Sequence, residues 1–141
     1  VIFMDNRRIE TTLCDGRTLS INPDVMGDFR YMPFENDSFN LVVFDPPHLV
    51  KAGKRSWLAL KYGVLNQRWQ DDLRQGFDEI FRVLKPNGLL IFKWSEIQIP
   101  IADVLKLTPI RLKPLIREQK SKRHWVIFIK QGIREDNLGG R

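Results

Sequence analysis

The sequence predicts a single α/β domain: a mostly parallel sheet that finishes with one antiparallel strand. Three observations carry this. Residues 39–49, FNLVVFDPPHL, run apolar into a double proline, as a central parallel strand covered on both faces does. An amphipathic stretch, residues 67–84, leads to a second apolar run, GLLIFKW at 88–94. Strand, helix and strand in that order make a crossover, so the two strands are parallel. Two last apolar runs, 110–116 and 125–130, are joined by a short polar connection and therefore pair antiparallel.

Composition narrows the class. The chain has 141 residues, 43% hydrophobic and 11% aromatic, which suits one domain with a real core. The predicted domain covers residues 1–133, and 134–141 (REDNLGGR) reads as a flexible tail. No apolar run approaches the ~20 residues a membrane span needs. The opening VIFMDNRR is charged too soon for a signal peptide. One cysteine, Cys14, allows no internal disulfide and suits a reducing, cytoplasmic setting. No residues show metal-ligand spacing, so no metal is expected. A net charge of +6 tilts the chain toward anionic partners such as nucleic acid.

The elements follow in order. Residues 1–4 are a short apolar run ending at Asp5. An acid there either meets a ribose hydroxyl, as in nucleotide-binding α/β folds, or simply pairs with Arg7 or Arg8. Residues 9–25 are poorly patterned, with turn signals at Asp15-Gly16 and at Asn22-Pro23-Asp24. Residues 24–28 read as a short strand that delivers Gly27 and Asp28 to the same edge. Glu35-Asn36-Asp37-Ser38 is a polar turn launching the next strand.

That strand stops at Pro46-Pro47, because proline cannot donate to a ladder. The residue before proline is held extended, so Asp45 projects from the strand end. Ligands of open α/β sheets bind beyond the carboxyl ends of strands. Asp45, two rigid prolines and the His48 ring thus predict a site for a flat, amino-bearing ligand. The loop that follows holds Lys51, Lys54, Arg55 and Lys61 with Trp57 and Tyr62 interleaved. It reads as a surface that tracks a nucleic-acid backbone and stacks bases, or as a loop closing over the site.

In the helix at 67–84 the apolar stripe is Trp69, Leu73, Phe77, Ile80, Phe81 and Leu84, read as core. Asn66 is the expected N-cap, and Pro86-Asn87-Gly88 the stop. Ser95 and Glu96 end the next strand near the edge of Asp45. A short helix is expected at 102–107. In the last connection Lys120, Lys122 and Arg123 stand with Glu118 as the only nearby acid. They form either a solvated hairpin or an arm that contacts phosphates.

Three segments together, 27–48 (GDFRYMPFENDSFNLVVFDPPH), 81–94 (FRVLKPNGLLIFKW) and 124–130 (HWVIFIK), resemble class I S-adenosylmethionine-dependent methyltransferases. The DPPH turn is similar to the (D/N/S)-P-P-aromatic signature of enzymes that methylate exocyclic or amide nitrogens. MDNRR, CDGR, DFR-x-MPF and DPPHL in combination resemble small methyltransferases of phages and prophages. The resemblance implies a Rossmann-like sheet with its last strand inserted antiparallel, and S-adenosylmethionine as cofactor. It implies Asp5 at the cofactor ribose, Asp28 and Phe29 at its adenine, and Asp45, Pro46, Pro47 and His48 as the catalytic turn, with Asp45 also bordering the cofactor. It implies nucleic acid as the substrate, met by Lys51, Lys54, Arg55, Trp57, Tyr62, Lys120, Lys122 and Arg123. A homodimer or a partner would supply target recognition. Two departures stand out. The family's glycine-rich loop is not in this sequence, which reads as starting from the family's second strand, with the first strand and loop upstream. Histidine also stands where the family has another aromatic. The rival readings are a non-catalytic nucleic-acid-binding module on a decayed fold and a small-molecule methyltransferase.

Overall fold

A computed structural model describes residues 1–50 and 65–132. The loop residues Lys51, Lys54, Arg55, Trp57 and Tyr62 and the tail at 134–141 lie outside the described residues. Among the described residues, eight strands and two helices follow in chain order: β1 (Met4–Asp5), β2 (Ile9–Thr12), β3 (Thr18–Ile21), β4 (Val25–Met26), β5 (Phe39–Phe44), α1 (Trp69–Val83), β6 (Leu84–Ser95), α2 (Ile101–Leu105), β7 (Leu112–Lys120) and β8 (Arg123–Lys130).

The main sheet has the order β5-β6-β8-β7. β5 and β6 are parallel, and β8 is antiparallel to both of its neighbours. β5, β6 and β7 therefore run one way and β8 alone runs against them, inserted between β6 and β7. β1 and β4 form a separate parallel pair. The predicted α/β class with a final reversed strand is what the structure has. The physical cause lies in the connections. β5 reaches β6 through α1, long enough to cross over, whereas Ser121 at φ 57° turns β7 straight back into β8.

The α1 helix buries Leu73, Phe77, Ile80 and Val83 fully. They pack on one face of the sheet, formed by Leu90, Phe92, Val126 and Phe128. Phe77 meets Phe44 and Phe92 edge-on at 5.6 and 5.2 Å. The opposite face is open: Leu41, Val43, Leu89 and Trp125 are all substantially exposed there. Strand alternation sorts the two sets, since successive side chains point to opposite faces. So β5, expected to be covered on both sides, is covered on one side among the described residues.

Several elements sit differently from expectation. Residues 9–21 form the β2–β3 hairpin, register Ile9↔Ile21, around Asp15-Gly16, where Gly16 adopts φ 88°. The N-cap of α1 is Arg68, and the Asn66 side chain instead accepts the Arg68 amide at 2.7 Å. β6 begins directly at Leu84, so Pro86-Asn87-Gly88 bends inside the strand, with Asn87 at φ 65° and a register shift against β5. α2 starts one residue earlier and ends two earlier than expected. β7 and β8 extend to Lys120 and Arg123, so most of the expected connection is ladder. No described helix is long and apolar enough to cross a membrane.

The loop after β4 is strapped to α1. Arg82 donates to the carbonyls of Met32 at 3.0 Å and Phe34 at 2.7 Å, and pairs with Glu79 at 2.6 Å. The Met32 amide donates back to Glu79 at 2.9 Å. Lys130, buried at 8% exposure, is satisfied by the Leu84 carbonyl at 2.7 Å, by Asp37 at 3.1 Å and by the Phe81 ring.

Candidate active site

The site grows from the ends of parallel strands. β1 and β4 end side by side, with the Gly27 amide donating to the Asp5 carbonyl at 3.0 Å. A Cβ at Gly27 would stand 2.7 Å from the Met4 sulfur, so a larger residue there would make the flexible Met4 side chain shift. Asp5 and Asp28 thus stand at one edge, as the sequence predicts. Each is answered by a basic residue two positions on. Asp5 Oδ1 accepts the Arg7 amide at 2.9 Å and its Nε at 3.3 Å. Asp28 takes a two-pronged grip from Arg30, at 3.0 Å from Nε and 2.6 Å from Nη2. The Arg30 bonds hold the Asp28 carboxyl below the usual carboxylate range. Arg30 continues to Asp72 in the first turn of α1 at 3.3 Å, which ties this edge to the helix.

Phe29 joins the two halves of the site. It follows Asp28 and meets Phe44 at 5.3 Å in an edge-on contact, and Phe44 immediately precedes Asp45. The residue after Asp28 thus packs against the residue before Asp45.

Asp45 projects from the end of β5 with 41% of its side chain exposed, 3.5 Å from the Lys93 ammonium. Beyond it the chain turns inward, where Pro46, His48 and Leu49 are buried. The Val50 amide donates to the Gln98 side chain at 2.6 Å, and the Leu65 amide to the Leu49 carbonyl at 2.7 Å. His48 is 8% exposed, and its ring centroid lies 6.3 Å from that of Trp94 at an interplanar angle of 78°. Trp94 is itself fixed by its indole N–H donating to the Ile99 carbonyl at 2.9 Å. Burial pushes the His48 pKa down against a smaller upward pull from Asp45, so the ring is neutral near pH 7.

The β7–β8 tip lies beside this edge. Ser95 pairs with Arg123, and the Glu96 amide donates to the Lys122 carbonyl at 2.9 Å. Glu96 also bonds the buried His124 ring, which holds its carboxyl low. Lys120, Lys122 and Arg123 are exposed. The structure thus brings Lys120, Lys122 and Arg123 to the edge that carries Asp45.

Two residues near Asp45 were not singled out from sequence: Lys93 and Trp125. They face each other across β6 and β8, with the ammonium 4.6 Å from the indole centroid. A lone lysine inside GLLIFKW was the available signal.

No family model matches the chain, and no curated protein does. Among solved structures, the PH0226 protein of Pyrococcus horikoshii OT3 shares the fold at a TM-score of 0.54 and 16% identity, over 74% of this chain and 57% of that one. This chain therefore spans little more than half the length of that relative. Looser matches include the N-methyltransferase NodS of Bradyrhizobium japonicum WM9, with TM-score 0.49 and 13% identity over 77% of this chain and 59% of that one. Another is TTHA0409 of Thermus thermophilus, provisionally described as a DNA modification methylase and solved with S-adenosyl-L-methionine. It has TM-score 0.46 and 18% identity over 77% of this chain and 53% of that one.

Proposed function

We propose that the chain is the catalytic part of an S-adenosylmethionine-dependent methyltransferase that modifies an exocyclic amino nitrogen of a nucleobase in DNA or RNA. The observation that supports the reading is the Phe29–Phe44 contact, which ties the segment after Asp28 to the strand that ends in a partly exposed Asp45. Two carboxylates at adjoining strand ends suit a ribose diol and an exocyclic amine, so the residues present fit the cofactor. Asp5 would hold its ribose and Asp28 with Phe29 its adenine. Bound there, the cofactor supplies an electrophilic methyl group.

The acceptor nitrogen is a poor nucleophile, because its lone pair is delocalised into the ring. Asp45 accepts one amino hydrogen and the Pro46 carbonyl accepts the other, which frees the lone pair. The proline-locked turn and the buried His48 beneath it hold this geometry in place, and positioning of this kind contributes up to ~7–11 kcal/mol. Asp45 also stabilises the cationic nitrogen that develops. Lys120, Lys122 and Arg123 would meet phosphates beside the site. In duplex DNA the target base would have to leave the stack, at a cost of a few kcal/mol.

The test is transfer of radiolabelled methyl from S-adenosylmethionine to DNA and to RNA. Label in either, lost by ~10²-fold or more in Asp45→Ala, supports the reading. Equal incorporation by Asp45→Ala sinks it. One feature favours a non-catalytic nucleic-acid-binding module instead: Asp28 and Asp45 are both paired internally, with Arg30 and Lys93. That reading predicts nucleic-acid binding with no label in wild type.

A further inference from the structure

A lysine that interrupts the apolar run at 89–94 needs a reason, and Lys93 has a specific one. Its ammonium sits between the Asp45 carboxylate at 3.5 Å and the Trp125 ring at 4.6 Å. Carboxylate on one side and aromatic face on the other is the environment an amino group on a flat ring would want. We propose that the Lys93 ammonium is a placeholder for the acceptor's amino group, and that Trp125 is the platform on which the acceptor's ring settles once Lys93 withdraws. This rests on the role of Asp45 given above and adds to it the residue that receives the ring.

Three features of the structure lead here. His48 is 8% exposed and T-shaped to Trp94, so it offers little open surface to an acceptor's ring. Trp125 is 42% exposed and stands on the open face of the sheet, the side to which Asp45 also projects. The Lys93–Asp45 pair is 38% and 41% exposed at the two side chains, the kind of ion pair that holds weakly and exchanges readily. On binding, Asp45 exchanges one N–H donor for another, and the indole exchanges a cation for a ring. Both are surfaces that indoles accept. Lys93 is thus a positioning residue that keeps the carboxylate extended and solvated until the acceptor arrives.

The probes are adenosine and cytidine, titrated into the intact chain and followed by NMR at the Lys93 ε-methylene and the Trp125 indole N–H. In the free protein the Lys93 ε-methylene is shifted upfield by the ring, and Trp125→Leu removes that shift. Saturation with either nucleoside moves the wild-type signal to the same unshifted position. Removing the competitor in Lys93→Met tightens nucleoside binding about three- to tenfold. Trp125→Leu weakens it, and Trp125→Phe restores most of it, which separates loss of a stacking face from loss of fold. The proposal is overturned if the Lys93 signal stays put at saturation. It is equally overturned if Lys93→Met binds no tighter than wild type, or if neither protein binds either nucleoside at about 10 mM. The two claims fail separately. Undiminished methyl incorporation by Asp45→Ala removes the catalytic reading while the Lys93 titration still stands. A neutral Lys93→Met, with Asp45→Ala inactive, removes the placeholder alone.

Discussion

Gly76 lies mid-helix in α1, and replacing it with alanine sets two effects against each other. Helix propensity favours alanine by about 1 kcal/mol. Packing opposes it, because the new Cβ would stand 2.7 Å from Phe29 Cδ1, 3.0 Å from Phe29 Cε1 and 3.3 Å from Phe44 Cζ. Phe29 cannot swing away freely, since its ring is edge-on to Phe44 and its neighbour Asp28 is clamped by Arg30. Forcing an extra carbon into such a site costs about 1–3 kcal/mol. The net expectation is a loss of about 1 kcal/mol, or a fall in Tm of about 3 °C for a chain of this size. Urea denaturation with an unchanged m-value measures it. On the cofactor role proposed for Asp28, affinity for S-adenosylmethionine should fall in parallel. An exposed control on the same helix, Gln75→Ala, should be neutral. Stabilisation of Gly76→Ala by the full helix-propensity gain, with Phe29 signals unmoved, would refute the idea that this glycine exists to let the two halves of the site meet.

Other expectations can be checked alongside. Arg82→Met leaves two loop carbonyls without their donor and Glu79 without its cationic partner. Discounted for partial exposure, the loss is about 1–3 kcal/mol by chemical denaturation, and no loss would mean the strap is ornamental. Phe77→Ala empties a fully buried ring site and should cost about 3–5 kcal/mol. His48 should titrate below ~6.5 in an NMR pH series. Because the unfolded chain takes up that proton at a higher pH than the folded one, unfolding free energy falls as pH drops from ~6.5 through the folded value. A His48 midpoint above that of an unstructured peptide would contradict the burial of its ring. Replacing Lys120, Lys122 and Arg123 with serine should weaken nucleic-acid binding and flatten its salt dependence. An unchanged salt slope would show that the hairpin tip does not meet phosphates.

The fold was legible where pattern and connection length agree. The stripe on α1 and the run into Pro46-Pro47 define β5, the crossover and the parallel β6, because a central strand and a long amphipathic helix leave few alternatives. The β2–β3 hairpin was missed although Ile9, Thr11, Leu19 and Ile21 alternate around Asp15-Gly16, since four-residue strands rich in threonine carry little hydrophobic contrast. The strand ends carrying Asp5, Asp28 and Asp45 were readable from the same logic. What the chain could not show was pairing in space. Asp28 is gripped by Arg30, His48 is buried beside Trp94, and Trp125 meets Lys93, the partner of Asp45, because β8 inserts beside β6 in that register. Nor does apolar alternation reveal which sheet face stays open. β5 reads as doubly buried because Leu41 and Val43 are apolar, yet both are more than half exposed.

Cofactor binding at the joined strand ends is the claim on which the catalytic roles depend. Calorimetric titration of S-adenosylmethionine into the folded chain should give saturable one-to-one binding. Asp5→Ala and Asp28→Ala should weaken it, and Asp45→Ala should leave it largely intact. Absence of saturable heat in well-folded protein, or affinity indifferent to Asp5 and Asp28, would contradict the assignment of this edge as the cofactor's and retire the catalytic role given to Asp45.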